Sequence, residues 1–376
     1  MPAVSNVLVV GGGTAGTAAA ILLAEVGVAV DLVELKPDIT ALGSGITLQG
    51  NALRVLRRLG VWDDVQREGH SHNRLALRAP DAEATVLVEL DVERTGGPDL
   101  PATVGMYRPA LARILMDRAV ATGVKVRTST TFAELEQDGT GVTARFTDGS
   151  TGRYDLVIGA DGIRSATRQA LGIDADIQGA GLGAWRAIVP RPASVTHTEL
   201  YYGGPSYISG YCPINDRAMY AYFTEIAQDR MRTAPEEKLA VMRTFAEHYH
   251  GPWDEIRESL TDPSAIHYTW FESHLLDDPW HRGRVLLIGD AAHSCPPTLA
   301  QGAAMALEDA QVLAEMLATA DRVDDELLES FARRRLPRAR AVVEASRQIV
   351  QWTLARDVGD VPALQARIAA LVTDPA

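Results

Sequence analysis

Short, wholly apolar runs alternate along this chain with stretches whose apolar residues recur every three or four positions, and glycines punctuate the joins. Val7-Leu8-Val9-Val10 shows no polar alternation, as expected of a parallel strand buried on both faces. It runs directly into Gly11-Gly12-Gly13-Thr14-Ala15-Gly16. Ala18 to Ala24 favours helix, Gly27 supplies a stop, and Val28 to Val33 reads as a second buried strand closing on Glu34. Asn51 to Leu59 is an amphipathic helix stopped by Gly60. Pro109 suits the first position of another, whose stripe is Leu111, Ile114, Leu115, Ala119 and Val120, with Gly123 as terminator and Arg108 just outside. Val142 to Phe146, the turn Asp148-Gly149 and Arg153 to Ile158 predict a hairpin. Arg284 to Ile288 is a further buried strand, and Ala300 to Leu317 a helix with Glu308, Asp309 and Glu315 off its apolar stripe.

Between Ala184 and Phe271 helical periodicity gives way to short β-rich runs full of tyrosine, interrupted by a helix around Glu236 to Tyr249. Period-two spacing puts Tyr207, Ser209 and Tyr211 on one face and Tyr220 with Tyr222 on one face. Such a face serves as sheet core or as the wall of a site for a planar aromatic ligand, and both readings stand. Residues 76–104 have the same texture, so a β-sheet domain assembled from two insertions is expected.

Composition narrows the classes. A chain of 376 residues, 46% hydrophobic, has material for two domains, or for one large domain with an elaborate insertion. A net charge of −13 argues against a nucleic-acid partner. The basic run Arg333 to Arg340 follows Asp324, Asp325, Glu326 and Glu329 and is read as a solvated helix face. Cys212 and Cys295 are too few for a disulfide framework or a zinc site, no metal-ligand spacing appears, and a reducing cytoplasm is expected. Ala18 to Val33 contains Glu25 and Asp31 and lacks a basic lead-in, so neither a signal peptide nor a membrane span is expected there.

The first forty residues form a βαβ unit with a dinucleotide fingerprint. Gly11 permits the tight turn, Gly13 lets a pyrophosphate approach the backbone, and Gly16 lets helix and strand pack closely. Glu34, 18 residues after Gly16, is placed for ribose hydroxyls and disfavours a 2′-phosphate. This unit serves NAD and FAD alike. Arg108 can reach a phosphate or ribityl group, or pair at the surface with Asp117. Leu156-Val157-Ile158 enters Gly159-Ala160-Asp161-Gly162, a second ribose or phosphate contact or a plain turn capped by Asp161. In Gly289-Asp290-Ala291-Ala292-His293-Ser294-Cys295-Pro296-Pro297-Thr298, a rigid proline pair precedes a helix whose free amides suit an anion. His293 and Cys295 are read there as packing residues of a tight turn.

The ordered set Gly11-x-Gly13-x-x-Gly16, Arg108 with Leu111 and Leu115, Asp161-Gly162 and Gly289-Asp290 resembles the single-component FAD-dependent aromatic hydroxylases of the p-hydroxybenzoate hydroxylase fold, over nearly the whole chain. The resemblance implies an α/β fold: a discontinuous Rossmann-type FAD-binding domain (1–75, 105–178, 276–320), an inserted β-sheet substrate domain (76–104, 179–275) and C-terminal helices (321–376). It implies non-covalent FAD held by Gly11, Gly13, Thr14, Ala15, Gly16, Glu34, Arg108, Asp161, Asp290, Pro297, Gln301, Gly302 and Ala303. NAD(P)H would be the transient electron donor, and a C4a-hydroperoxyflavin would hydroxylate a phenolic aromatic or heteroaromatic ring with O2. Pro296, Tyr211 and Tyr222 would act at the reacting centre, and Trp185, Arg186, Tyr202 and Tyr220 on the substrate. A homodimer is one candidate assembly.

The Leu299-Ala300-Gln301-Gly302-Ala303 variant is similar to members acting on hydroxylated pyridine carboxylates such as 6-hydroxynicotinate, and to salicylate-type hydroxylases. Many relatives have glycine at position 300 and asparagine at position 304, where this chain has alanine, so an asparagine contact to the flavin is not expected. With the sequence read to Ala376, the thioredoxin-like domain of the phenol hydroxylases is not expected. Trp185-Arg186-Ala187-Ile188-Val189-Pro190 lacks the second tryptophan of the flavin-dependent halogenases. An FAD-dependent reductase of the geranylgeranyl type and a non-catalytic flavin-binding protein remain the alternatives.

Overall fold

The computed structural model describes residues 2–38, 44–277, 279–357 and 359–376. The apolar runs become a six-stranded sheet in the order His281–Arg282, Val285–Leu287, Leu156–Gly159, Asn6–Val10, Ala29–Val33, Lys125–Arg127. All pairs are parallel except the His281–Arg282 edge. Val7, Leu8 and Val9 are fully buried, as the unbroken apolar run requires. Because Asn6–Val10, Leu156–Gly159 and Val285–Leu287 are parallel neighbours, the turns at Gly11, Asp161 and Asp290 all leave the same edge of the sheet. The helices Thr14–Glu25 and Gly302–Thr319 pack on one another behind that edge.

The expected hairpin is split. Val142–Phe146 pairs with Thr151–Tyr154 in a small antiparallel sheet, while Leu156–Gly159 belongs to the parallel sheet. Asp155 makes the break: its carboxylate accepts from the Ser5 and Asn6 amides at 2.7 and 3.1 Å.

The tyrosine-rich region is an eight-stranded sheet ordered His293–Ser294, Ile266–Leu275, Gln178–Pro190, Ala218–Ile226, Ile208–Pro213, Thr198–Tyr202, Arg74–Arg78, Val86–Asp91. Its faces differ. Trp185, Tyr201, Tyr211, Phe223 and Tyr268 point into an aromatic core with Met242 and Trp253, carried by the helices Pro235–Ala246 and Pro252–Ser259. Arg186, Tyr202, Tyr220 and Tyr222 alternate onto the opposite face. There the strand Gly45–Gln49 approaches so closely that a Cβ on Gly45 would fall inside the Tyr220 ring. The long helix Asp325–Ala355 covers the rest, with Val350 packed on Leu182, Ala184 and Phe271.

That helix corrects the reading of the basic run. Arg333 and Arg334 are exposed, but Arg335 is 1% exposed. Its guanidinium meets Asp309 at 2.7 Å and Glu308 at 3.2 Å, and both acids are buried rather than solvated. Arg335 sits four residues from Phe331 and from Ala339, on the helix's buried stripe, so its charge needs partners from the facing helix.

Candidate active site

At the fingerprint turn each glycine has a separate geometric reason. Gly11 has φ +107, and a Cβ there would lie 2.4 Å from the Ala160 carbonyl oxygen. A Cβ on Gly16 would lie 2.0 Å from the Gly11 carbonyl oxygen, so helix and strand close onto each other. A Cβ on Gly13 would meet nothing within 4 Å: this backbone faces open space. The helix beginning at Thr14 has no side-chain cap, and the Thr14, Ala15 and Gly16 amides find no backbone acceptor among the described residues. Uncapped amides at a helix N-terminus beside an open cradle fit a pyrophosphate. Glu34 is anchored at its mouth, accepting from the Gly12 amide at 2.8 Å and the Lys36 amide at 2.9 Å.

The second turn uses its acid locally. Asp161 accepts from the Ser165 hydroxyl and from the Thr167 amide and hydroxyl at 2.9 and 3.0 Å, holding the first turn of the helix Ala166–Ala170, whose cap is Ser165 accepting from the Arg168 amide at 2.9 Å. Its carboxylate is therefore occupied locally, leaving the turn's backbone and Gly162 (φ +83) to face a ligand. Below it lies Arg168, which the sequence reading missed. Its buried guanidinium donates to the Ile163 and Ala291 carbonyls at 2.8 and 2.9 Å, tying the second turn to the third. His274 lies beside it, and burial, then that charge, push its pKa down to about 4.

The third turn packs on the first: a Cβ on Gly289 would lie 2.9 Å from the Ala15 Cβ. Asp290 keeps accessible surface, yet burial raises its pKa, as expected for a carboxylate walled into a cleft. Arg108 is near enough to Asp290 to oppose that rise. It is the first residue of the helix Arg108–Ala121 rather than outside it, and Asp117 pairs instead with Arg113. Among the described residues no carboxylate forms an ion pair with Arg108.

The loop leading into the helix Gly302–Thr319 departs from expectation in two places. Pro296 is buried and Pro297 exposed, so the second proline presents the accessible surface. Gln301 is 1% exposed, and its amide is turned into the protein, where it bonds Gln49 at 2.9 Å and Asn51 at 3.0 Å. Only its backbone is left for a cofactor. The Gly302, Ala303 and Ala304 amides find no backbone acceptor among the described residues, the first being Met305 to Gln301 at 2.9 Å. His293 and Cys295 are packing residues. His293 bonds Asp309 at 2.7 Å, and burial pushes the Cys295 thiol up to about 12. Asp309, despite burial, is held down to about 2 by His293 and Arg335, and also accepts from the Gly289 amide at 2.8 Å.

The sheet wall completes the site and corrects two residues. Tyr211 and Trp185 lie on the helix-covered face, each fully buried, and cannot touch a substrate lying on the other face. The Tyr211 hydroxyl is bound to Glu199, and burial with Tyr201 and Glu199 raises its pKa. Tyr207 also leaves the predicted face, because the strand begins only at Ile208 and Tyr207 has φ +60. Arg186, Tyr202, Tyr220 and Tyr222 do share the inner face. Tyr220 and Tyr222 stack with centroids 5.8 Å apart, and the Tyr220 hydroxyl bonds Thr47 at 2.5 Å. Arg186 donates to Thr269 on the neighbouring strand, and Arg108 is near enough to both Arg186 and Asp290 to act on their charges.

These features fit a flavin dinucleotide: an open pyrophosphate cradle, an accessible acid beside it, and a second uncapped helix N-terminus facing a sheet of phenols. The chain belongs to the FAD binding domain family, whose model matches residues 4–346. More narrowly, it is similar across nearly its whole length to flavin-dependent monooxygenases. It is 32% identical to YetM of Bacillus subtilis (strain 168), which carries the name of an FAD-dependent monooxygenase, over 94% of this chain and 95% of that one. It is 30% identical to 6-hydroxynicotinate 3-monooxygenase of Pseudomonas fluorescens, over 97% and 98%. The solved tetrameric form of 2-methyl-3-hydroxypyridine-5-carboxylic acid oxygenase superposes with a TM-score of 0.82 at 27% identity, covering 97% of this chain and 95% of that one.

Proposed function

We propose that this enzyme hydroxylates a phenolic aromatic or heteroaromatic ring bearing an anionic substituent, consuming NAD(P)H and O2. One observation carries the substrate side: Arg186 stands on the inner face of the sheet beside Tyr220 and Tyr222, and among the described residues its guanidinium bonds Thr269 and no carboxylate. A half-buried guanidinium without a protein anion is a ready partner for a carboxylate or phenolate. The two relatives named for their substrates act on hydroxypyridine carboxylates, which present both groups.

FAD, when bound, takes electrons from NAD(P)H and supplies the oxygen chemistry. The chain's own residues bind, orient and exclude water. The amides of 14–16 would hold the pyrophosphate, Glu34 the adenosine ribose and Asp290 the ribityl chain, and the amides of 302–304 would meet the flavin's pyrimidine edge. Burial, then Tyr220 and Cys212, raise the Tyr222 pKa well above its ordinary value, so its hydroxyl stays protonated. It therefore serves as a donor that stabilises a substrate phenolate, which makes the ring more electron-rich, and not as the base. Electrostatic support for the phenolate comes from Arg186. Self-association is part of the same reading, given the tetrameric neighbour, and a purely monomeric sedimentation profile would remove it. No helix among the described residues is long and apolar enough to cross a membrane, and the proposed location is the cytoplasm.

The test is a panel of hydroxypyridine and hydroxybenzoate carboxylates with NADH and NADPH, followed by absorbance and by an oxygen electrode. The expected result is a yellow protein whose NAD(P)H oxidation accelerates with one ring class, with matching oxygen uptake and a hydroxylated product. Colourless protein would overturn the reading. Equal turnover without oxygen, giving a saturated product, would replace it with a reductase.

A further inference from the structure

The loop between the prolines and the helix Gly302–Thr319 contains a left-handed residue that is not glycine. Ala300 has φ +53 and ψ +30, a conformation that costs an L-residue about 1 kcal/mol. Something must hold it there, and the hydrogen bonds on either side show what does. Gln49 Nε2 donates to the Leu299 carbonyl at 2.9 Å, and Gln49 Oε1 accepts from Gln301 Nε2 at 2.9 Å. One side chain therefore bridges the residues before and after Ala300. Gln301 is fixed in turn by Asn51, whose amide also reaches Glu308 at 3.2 Å. Within the strand Gly45–Gln49, Gln49 shares its face with Thr47 and Gly45, the two residues in contact with Tyr220 of the substrate wall.

We infer that Gln49 is a positioning residue that clamps the left-handed turn at Ala300 and so aims the amides of 302–304 at the flavin, tying that loop to the substrate wall through Thr47 and Tyr220. Both ends of its amide, the donor nitrogen and the acceptor oxygen, are engaged with the loop. Without the bridge, Ala300 relaxes toward right-handed backbone, which swings the first turn of the helix away from its target. A glycine at 300 adopts the left-handed turn without strain and has less need of the clamp.

The inference rests on the flavin reading of the site, so wild-type FAD content is measured alongside. The variants are Gln49→Ala, Gln49→Glu and Gln49→Ala with Ala300→Gly. The readouts are FAD dissociation by fluorescence and the share of NAD(P)H electrons recovered as hydrogen peroxide instead of product. Gln49→Ala is expected to weaken FAD binding about tenfold, the worth of one or two hydrogen bonds, and to raise the peroxide share. Adding Ala300→Gly should bring FAD binding back to within about threefold of wild type, since glycine removes the strain. Gln49→Glu keeps the shape and the acceptor for Gln301 but loses the donor to Leu299, and is expected to show the loss even if the alanine variant fails to fold. FAD affinity and peroxide share both unchanged in Gln49→Glu would overturn the clamp while leaving the flavin site intact. A loss in Gln49→Ala that glycine at 300 does not repair would overturn it too, because Gln49 would then act by another route. Wild-type protein free of flavin would sink both readings at once.

Discussion

Ala300 concentrates the tension between sequence and fold into one residue. Its left-handed backbone is where many relatives in the resembled family carry glycine, and here the strain is held by neighbouring side chains. Ala300→Gly should therefore stabilise the wild-type protein by up to about 1 kcal/mol, after the entropy glycine adds to the unfolded chain. A melting temperature lowered by this change would show that the turn is not strained. Asp290 tests the opposite property, function at the expense of stability. Its accessible carboxylate sits in a cleft that disfavours its charge, and Asp290→Ala should weaken FAD retention tenfold to about a hundredfold, the range for a hydrogen bond to a charged group. Wild-type FAD occupancy in that variant would contradict the ribityl role. The sequence marked both positions, but it could not show that Gln301 turns its side chain away or that Pro296 is covered while Pro297 is not. The first is set by Gln49 and Asn51, which lie 252 and 250 residues from Gln301 in the chain, and the second by packing around the proline pair.

Among the elements, the helices Gly302–Thr319 and Asp325–Ala355 depend on each other through buried charge. Glu308 and Asp309 project from the first toward Arg335 and Arg338 of the second, with His293 closing the group against the loop. Arg335→Ala would leave two buried carboxylates short of a partner and should cost about 3 kcal/mol or more, read from urea unfolding. A cost below about 1 kcal/mol would mean that His293 and Arg338 neutralise the acids on their own. The spacing of Arg335 from Phe331, Ala339 and Val342 was a legible sign of a buried position, since all four fall on one helical face. Its charge masked that sign among the neighbouring arginines.

At the scale of the whole molecule, stability is expected to fall on mild acidification. His72 is 8% and His274 1% exposed, and burial lowers each pKa from 6.5 to about 4. For His72 the neighbouring His70 adds to the effect, and for His274 the charge of Arg168 does. Below pH 6.5 the unfolded chain takes up protons that the folded chain refuses until about pH 4. Each histidine thus contributes stability that is full above pH 6.5 and lost between 6.5 and 4, up to about 3 kcal/mol apiece. Urea midpoints at pH 7.5 and 4.5 measure this, and equal midpoints would refute it. Ion pairs such as Asp309 with Arg335 play no part in that window, because Asp309 is held down to about 2.

The amino-acid sequence by itself determined the dinucleotide unit, because each glycine there answers a local backbone demand: a positive φ at Gly11, open approach at Gly13, close packing at Gly16. It also determined the parallel strands, whose unbroken apolar runs admit burial on both faces and little else. Tertiary structure alone decided which side of the tyrosine-rich sheet faces the cleft. Period two sorts Tyr211 from Tyr220 and Tyr222, but both faces are aromatic, and only the docking of Gly45–Gln49 on one and Pro235–Ala246 with Pro252–Ser259 on the other separates substrate wall from core. The clamp at Gln49 lay beyond sequence for the same reason: its two hydrogen bonds exist only once strand and loop, far apart in the chain, have met.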